Sequence, residues 1–349
     1  MKLLTIGAKP ALAAALATVA GVELVALERD HPQHQPGYER LPYASGAKLS
    51  LSAIRETRSA IERVKPDVIH AFYPRPLAHA VMATALLRSR VPIVSYRGIT
   101  SHPSRWSPSE WVTYLSPHVT AHACESSAVR DALMGAGIPA DRCHVVYNCL
   151  TKPVVPCSRN EARQRLGLAA DDWVVMMVGN LRPVKGADLL LEAAARCSEI
   201  PRFKLVLVGE IRDPRVARAA HRPDLAGRVS LLGHRSDAVE LMAAADVFVM
   251  PSRAEALSVA LLEAMSHGIC PVVSDAGGMK EGVRHEVDGL VFPRENVAAL
   301  AAALQRLAAA PELGARYGLS AQARVAGEFS PHRVAERIGA IYRQVVRAA

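Results

Sequence analysis

Short runs of apolar and β-branched residues recur along this chain and alternate with longer stretches whose apolar positions fall at helical spacing. In the first part the short runs are LLTIGA (3–8), VELVAL (22–27), DVIHAF (67–72), PIVSYR (92–97), VTAHAC (119–124) and HVVYN (144–148). They have the length of strands buried on both faces and are too short for helices. Between them lie stretches such as LSAIRETRSAIERV (51–64), with its apolar residues on one side of a helix. This alternation predicts a parallel sheet covered by helices on both faces. The turn-rich segment HPQHQPGYERLPYASG (31–46) reads as a loop.

Residues 149–160, CLTKPVVPCSRN, hold two prolines and no periodicity, and they read as a linker. The alternation then restarts with WVVMMVGN (173–180), FKLVLVGE (203–210), VSLLG (229–233), DVFVMP (246–251), PVVSD (271–275) and GLVFP (289–293). An Ala- and Leu-rich helix follows over 296–309. The pattern predicts two α/β units, residues 1–150 and 151–330, without close sequence repetition between them. A length of 349 residues fits two cores. The tail opens with Phe329-Ser330-Pro331, where Ser330 can cap a helix and Pro331 suits its first turn. The helix beyond places Val334, Ile338, Ile341 and Val345 on one face, which must pack on one of the two units.

Composition narrows the classes. With 50% hydrophobic residues the chain has enough apolar surface to fold rather than stay disordered. The formal charge is +9, with 16 Lys+Arg against 11 Asp+Glu up to Leu150 and 26 against 22 beyond it. There is no basic tract, so no nucleic-acid partner is expected. The excess suits nucleotide phosphates or an anionic membrane surface. The six cysteines show no C-x-x-C or zinc-type spacing and read as reduced cytosolic thiols. No signal-peptide pattern opens the chain, and no uncharged apolar run reaches the ~18–20 residues of a membrane span. The expectation is a cytoplasmic protein, soluble or peripheral on the membrane.

The chemistry concentrates at strand exits in the second half. Residues 246–264, DVFVMPSRAEALSVALLEA, read as strand, loop and helix, with Glu255 in the loop and Glu263 on the helix. The carboxyl edge of an open α/β sheet is where ligands bind. A helical spacing puts the two carboxylates on one side and up to ~12 Å apart, which suits the two ends of an extended ligand rather than a shared proton. Glu263 sits among Val259, Ala260, Leu261, Leu262, Ala264 and Met265, where a carboxylate needs partners. The stretch Gly179-Asn180-Leu181-Arg182-Pro183-Val184-Lys185-Gly186 combines a glycine, two cations and a helix start, the parts of a diphosphate site. Read blandly, it is a capping loop with two solvated cations. After the strand at 271–275, Gly277 and Gly278 leave backbone open to a ligand, or make an ordinary turn.

Two nucleotide-binding motifs are missing: G-x-x-x-x-G-K-[ST], and G-x-G-x-x-G after the first strand, where Gly7 is followed by Ala8-Lys9-Pro10. Eight of the thirteen histidines precede residue 150, none in a zinc pattern. Each alone is more often structural. His70 and His102 stand out because they lie at or near strand exits.

The second half resembles the family-4 retaining glycosyltransferases. The resemblance rests on GNLRPVKG with DLLLEA (179–193), FKLVLVGE (203–210), LLGHRSDAVELMAAADVFVMPSRAEALSVALLEAMSHGICPVVSDAGGMKEGV (231–283) and DGLVFP (288–293). It implies the α/β GT-B fold, two facing Rossmann-like domains with parallel sheets and a C-terminal helix, about 331–349, that crosses back to the first domain. It implies a nucleoside-diphosphate-sugar donor bound by residues 151–330, a glycan or lipid-linked acceptor on residues 1–150, no metal or other cofactor, and a role in lipopolysaccharide or other surface polysaccharide synthesis. Arg182 and Lys185 would neutralise the diphosphate. Glu255, with backbone near Leu257 and Ser258, would contact the sugar, and Glu263 the ribose. Gly179, Asn180, Gly209, Gly277 and Gly278 would complete the donor side, while Arg97, His102 and His70 are the acceptor-side candidates. The chain departs from the family at Ala256 and Ser258, where glycines are usual, and at Tyr96-Arg97-Gly98, where many relatives have a histidine. A nucleotide-sugar 2-epimerase and a non-catalytic sugar-nucleotide-binding protein are the alternatives.

Overall fold

Seven strands form the first sheet: β1 (Lys2–Ile6), β2 (Glu23–Glu28), β3 (Glu39–Pro42), β4 (Val68–Ala71), β5 (Ile93–Arg97), β6 (Val119–Cys124) and β7 (Cys143–Val145). They lie in the order β3-β2-β1-β4-β5-β6-β7, and all pairings are parallel. A second sheet holds β8 (Trp173–Val178), β9 (Phe203–Val208), β10 (Val229–Leu231), β11 (Val247–Met250), β12 (Cys270–Ser274) and β13 (Leu290–Phe292). Its order is β10-β9-β8-β11-β12-β13, again parallel. The computed structural model describes residues 1–28, 37–150 and 157–348.

Each sheet is the core of one unit, Met1–Thr151 with Ser330–Ala349 and then Lys152–Phe329. Both are Rossmann-like α/β halves with one winding pattern: the third, second and first strands, then the fourth, fifth and sixth. Chain order reverses between β1 and β4 in the first sheet and between β8 and β11 in the second. Connections leave such neighbours on opposite faces, so the loops part and open a crevice at the carboxyl edge. The central strands are apolar throughout because helices cover both faces; all of β4 and β11 is buried. Each buried Val, Leu or Ile contributes about 1.5–3 kcal/mol of transfer free energy.

Two segments differ from the sequence reading. Strand β3 falls inside the stretch read as a loop. Its residues, ERLP, are partly exposed and end in a proline that only an edge strand tolerates, so no apolar run announces it. The linker reading runs two residues too far. Ser158 accepts from the Glu161 backbone N–H at 3.2 Å and caps the helix Arg159–Arg165. Residues 29–36, with His31 and His34, and linker residues 151–156 lie outside the described residues.

The tail helix Pro331–Ala348 belongs to the first unit. Ser330 Oγ accepts from the Arg333 N–H at 3.3 Å and starts it. Val334, Ile338, Ile341 and Val345 then pack with Leu12, Leu16 and Val19, residues on and just beyond the helix Pro10–Ala17. Its basic residues alter the charge picture. The first unit carries 20 Lys+Arg against 12 Asp+Glu, the second 22 against 21, so the excess is not shared between the halves but sits almost wholly in the first.

Candidate active site

In the second unit the loops after β8, β9, β11 and β12 meet where strand order reverses. Gly179 and Gly209 end β8 and β9 with φ of 149° and 140°. A Cβ on Gly209 would lie 2.0 Å from the Gly179 carbonyl oxygen, so only glycine permits the two exits to touch. From Gly179 the chain passes through Asn180 and Leu181, where a bridge to Ile211 holds it, into a single 3₁₀ turn, Pro183–Lys185. Gly186, at φ 73°, then turns the chain into the helix Ala187–Ala195. A Cβ there would meet the Pro251 carbonyl oxygen at 2.1 Å, so this loop rests directly on the exit of β11.

Arg253 reinforces that contact. Its backbone N–H donates to the Val184 carbonyl at 2.8 Å. Its guanidinium forks onto both Asp188 carboxylate oxygens at 2.9 Å and reaches the Pro183 carbonyl at 2.6 Å and Glu295 at 3.0 Å. Burial works to raise the Asp188 pKa, but the hydrogen bonds and charge of Arg253, with the charge of Arg215, outweigh it and hold the carboxyl below its usual range. The hydrogen bond to Asp188 in turn leads the rise of Arg253. The β12 exit joins through Ser274 Oγ, which donates to the Ser252 carbonyl at 2.6 Å, and through the Gly278 N–H, which donates to the Glu255 carbonyl at 3.2 Å.

Three of these loops therefore fix Glu255. Its carboxylate is ion-paired with the Lys185 ammonium, and both side chains are more than four-fifths buried. Arg182 lies exposed at the head of the turn, with its carbonyl accepting from the Lys185 N–H at 2.9 Å. Leu257 and Ser258 are buried, and Ser258 caps the helix Val259–Ser266 without a side-chain capping bond. Glu263 lies on that helix, half-buried between the fully buried Leu262 and Ala264. Because the helix begins only at Val259, the eight-position spacing of the two glutamates does not set their separation. Gly277 takes φ 53°, and Gly278 precedes the short helix Met279–Gly282.

Sequence reasoning passed over Arg253 and Ser252. Arg253 stands two positions before Glu255, and no local pattern names Asp188 as its partner. Ser252 Oγ is fully enclosed at the β11 exit and has no hydrogen-bond partner among the described residues.

In the first unit the three acceptor-side candidates stand elsewhere. His70 is not at an open strand exit. It is wholly buried in β4, with Nδ1 2.6 Å from the Tyr342 hydroxyl and its ring stacked on Phe72 at 4.1 Å. The tail helix covers that face, and burial lowers His70 to about 3. Arg97 is also buried. It donates to the Ile99 and Ser101 carbonyls at 3.3 and 2.7 Å and lies 4.3 Å over the Tyr114 ring, so its guanidinium braces its own loop. His102 is exposed and rests on the helix Ser127–Gly135, where a Cβ on Gly135 would come within 3.0 Å of its ring.

Two cavities of this unit lie at its carboxyl edge but use other residues. One of about 630 Å³ is lined by Gly7, Tyr43, Lys48, Tyr73 and Arg75 among others. A second of about 300 Å³ shares Tyr73 and Pro74 with it and adds Lys9, Tyr96, Glu125 and Asn148. Neither His70, Arg97 nor His102 lines either one.

Two family models match the chain, one for each unit. Residues 158–324 match "Glycosyl transferases group 1", and residues 11–151 match "Glycosyltransferase Family 4". A D-inositol 3-phosphate glycosyltransferase of Geodermatophilus obscurus is 37% identical over 201 residues, which are 54% of this chain and 44% of that protein. The match thus spans less than half the relative's length. The putative glycosyltransferase EpsD of Bacillus subtilis is 25% identical over 307 residues, 84% of this chain and 80% of EpsD. Among solved structures, Anabaena Alr3699/HepE in complex with UDP-glucose superposes with a TM-score of 0.79 at 23% identity, covering 99% of this chain and 100% of that one.

Proposed function

The chain belongs to the group 1, family 4 glycosyltransferases, and on that premise we propose that it moves a sugar from a nucleoside-diphosphate-sugar to a hydroxyl of a glycan or lipid-linked acceptor, with retention of configuration. The observation that carries this reading is the cluster of loops in the second unit that holds Lys185 and Glu255 together, with Arg182 exposed beside them. In this reading the donor separates the pair. Its diphosphate takes the Lys185 ammonium and the Arg182 guanidinium, and its sugar hydroxyls take the Glu255 carboxylate that Lys185 releases. Glu263 holds the ribose hydroxyls, and the turns at Gly179, Gly209 and Gly277-Gly278 let backbone approach the nucleotide.

The reaction breaks the bond between the anomeric carbon and the diphosphate oxygen, so negative charge grows on the leaving group. Cations fixed in advance stabilise that charge more than they stabilise the intact donor, which lowers the barrier. The proposal gives this role to Arg182 and Lys185 and calls on no metal. The donor HepE carries in its complex, UDP-glucose, makes a UDP-sugar the first to try.

The acceptor proposed is a growing surface polysaccharide, as in lipopolysaccharide synthesis, met at the cytoplasmic face of a membrane. The first unit supports peripheral contact with an anionic bilayer. Trp106 is 95% exposed, and Leu49, Leu51 and Trp111 stand out from the surface as well. Lys48 reaches Ser109, and Trp111 Nε1 donates to the Arg105 carbonyl at 2.8 Å, so the apolar groups and two cations share one region. Apolar rings among basic residues suit the interface of an anionic membrane.

Thermal denaturation with UDP, GDP, ADP and CMP tests the donor assignment. A nucleotide at 100 times its Kd adds about 2.7 kcal/mol of stability. No shift with any of the four would overturn it.

A further inference from the structure

We propose that the cavity of about 300 Å³ in the first unit is an acceptor subsite for an uncharged polyol ring, a sugar or cyclitol, whose hydroxyls donate hydrogen bonds to Glu125. The inference rests on the glycosyltransferase reading above and names the acceptor chemistry within it.

Glu125 follows the last residue of β6, and its backbone N–H donates to the Arg97 carbonyl at 2.9 Å. The carboxylate therefore starts from a fixed point at the carboxyl edge of the sheet. Opposite it stands Gly98. A Cβ there would lie 2.2 Å from Glu125 Oε2 and 2.5 Å from its Cδ. Gly98 is not among the residues with positive φ, so its backbone has no need of glycine. The space a side chain would fill is given over to the carboxylate.

The remaining walls are aromatic and neutral on balance. Tyr73, Tyr96 and Tyr114 line the cavity together with Asn148 and Lys9. Burial first, and then the charge of Glu125, raise the Tyr73 and Tyr96 phenols, so the carboxylate is felt by the rings around it. Lys9 and Glu125 act in opposite directions on Cys149, which burial pushes up to about 11. Among the described lining residues there are one anion and one cation, a balance that suits a neutral ligand. A carboxylate accepts hydrogen bonds and donates none, so it selects hydroxyls and repels a phosphate. Tyrosine rings offer apolar faces to the C–H side of a sugar ring. The volume lies at the lower end of the range for small-molecule sites, as for a single ring.

Saturation-transfer NMR on the full chain, with UDP present, tests the proposal with three neutral probes (myo-inositol, methyl α-D-glucoside and methyl α-D-galactoside) and with inositol 3-phosphate. At least one neutral probe is expected to bind, and more tightly than the phosphate. Glu125→Gln removes the charge, and Gly98→Ala displaces the Glu125 carboxylate without touching its chemistry. Each is expected to weaken the neutral probe about tenfold, as for loss of a hydrogen bond to a charged group. The UDP thermal shift should stay unchanged in both, which separates this test from that of the donor site and checks the fold. Binding unaltered by either variant, binding of the phosphate alone, or no binding of any neutral probe would each overturn the assignment.

Discussion

Lys185 and Glu255, 70 residues apart in sequence, meet as an ion pair in the second unit. In the proposed reaction they serve neighbouring parts of one donor, Lys185 its diphosphate and Glu255 its sugar, so the donor exchanges the pair's mutual charge contact for its own. Pairing offsets the desolvation of a partly buried cation and anion, whereas removing one leaves the other uncompensated.

Glu255→Ala follows from that pairing. The variant loses its sugar contact but leaves Lys185 free for phosphate. Transfer should fall by at least ~100-fold, the scale of a lost transition-state contact. Nucleotide binding, read as a thermal shift, should be kept or strengthened. A variant that still transfers sugar removes the central assignment.

Arg182→Ala and Lys185→Ala should behave differently from it. Each deletes a cation from the diphosphate, and hydrogen bonds to charged groups are worth about 1.5–3 kcal/mol. Isothermal titration should show nucleoside diphosphate binding weakened roughly tenfold or more in each, with a smaller loss for the nucleoside alone. Unchanged affinity in both would move the phosphate site elsewhere.

Asp188 links this site to pH. Its carboxyl, held below the ordinary value of 3.8 chiefly by Arg253 once burial is overcome, contributes stability that is complete above the unfolded pKa. That contribution is lost as pH falls through the lower folded value. Asp188→Asn should therefore lower the Tm at pH 7 and leave a shallower loss of stability below about pH 4 than the parent shows. Parallel acid-denaturation curves for the two proteins would count against the Arg253–Asp188 fork as the clamp on this loop.

The sequence carried the alternation, and with it most strands and the two helices Leu51–Val64 and Val297–Ala309. Strand β3 escaped because a partly exposed edge strand of four residues has no apolar signature. The loop residues around Glu255 were legible because they follow buried strands at once. Arg253 and Asp188 were not, since their meeting depends on the Gly186–Pro251 contact. In the first unit, nearness to a strand end in sequence was a poor guide. His70 and Arg97 lie within their strands, where alternation and a covering helix decide whether a side chain meets solvent. Glu125 stands between Cys124 and two serines with no local pattern to mark it, and only the space left by Gly98 singles it out.

Membrane contact gives the last prediction. Trp106 and Leu51 are exposed with no structural need for it, and Lys48 and Arg105 stand in the same region. The first unit's charge excess adds a field that draws it to acidic lipid. Vesicles with phosphatidylglycerol should bind the protein in co-sedimentation, and neutral phosphatidylcholine vesicles should bind it far less. Trp106→Ala combined with Leu51→Ser should reduce binding at all salt concentrations, because it removes inserted apolar surface. Lys48→Ala with Arg105→Ala should reduce it mainly at low salt, where the charge term is least screened. Equal binding by parent and both variants would place the contact on another face, and no binding to acidic vesicles would leave the acceptor to be met in solution.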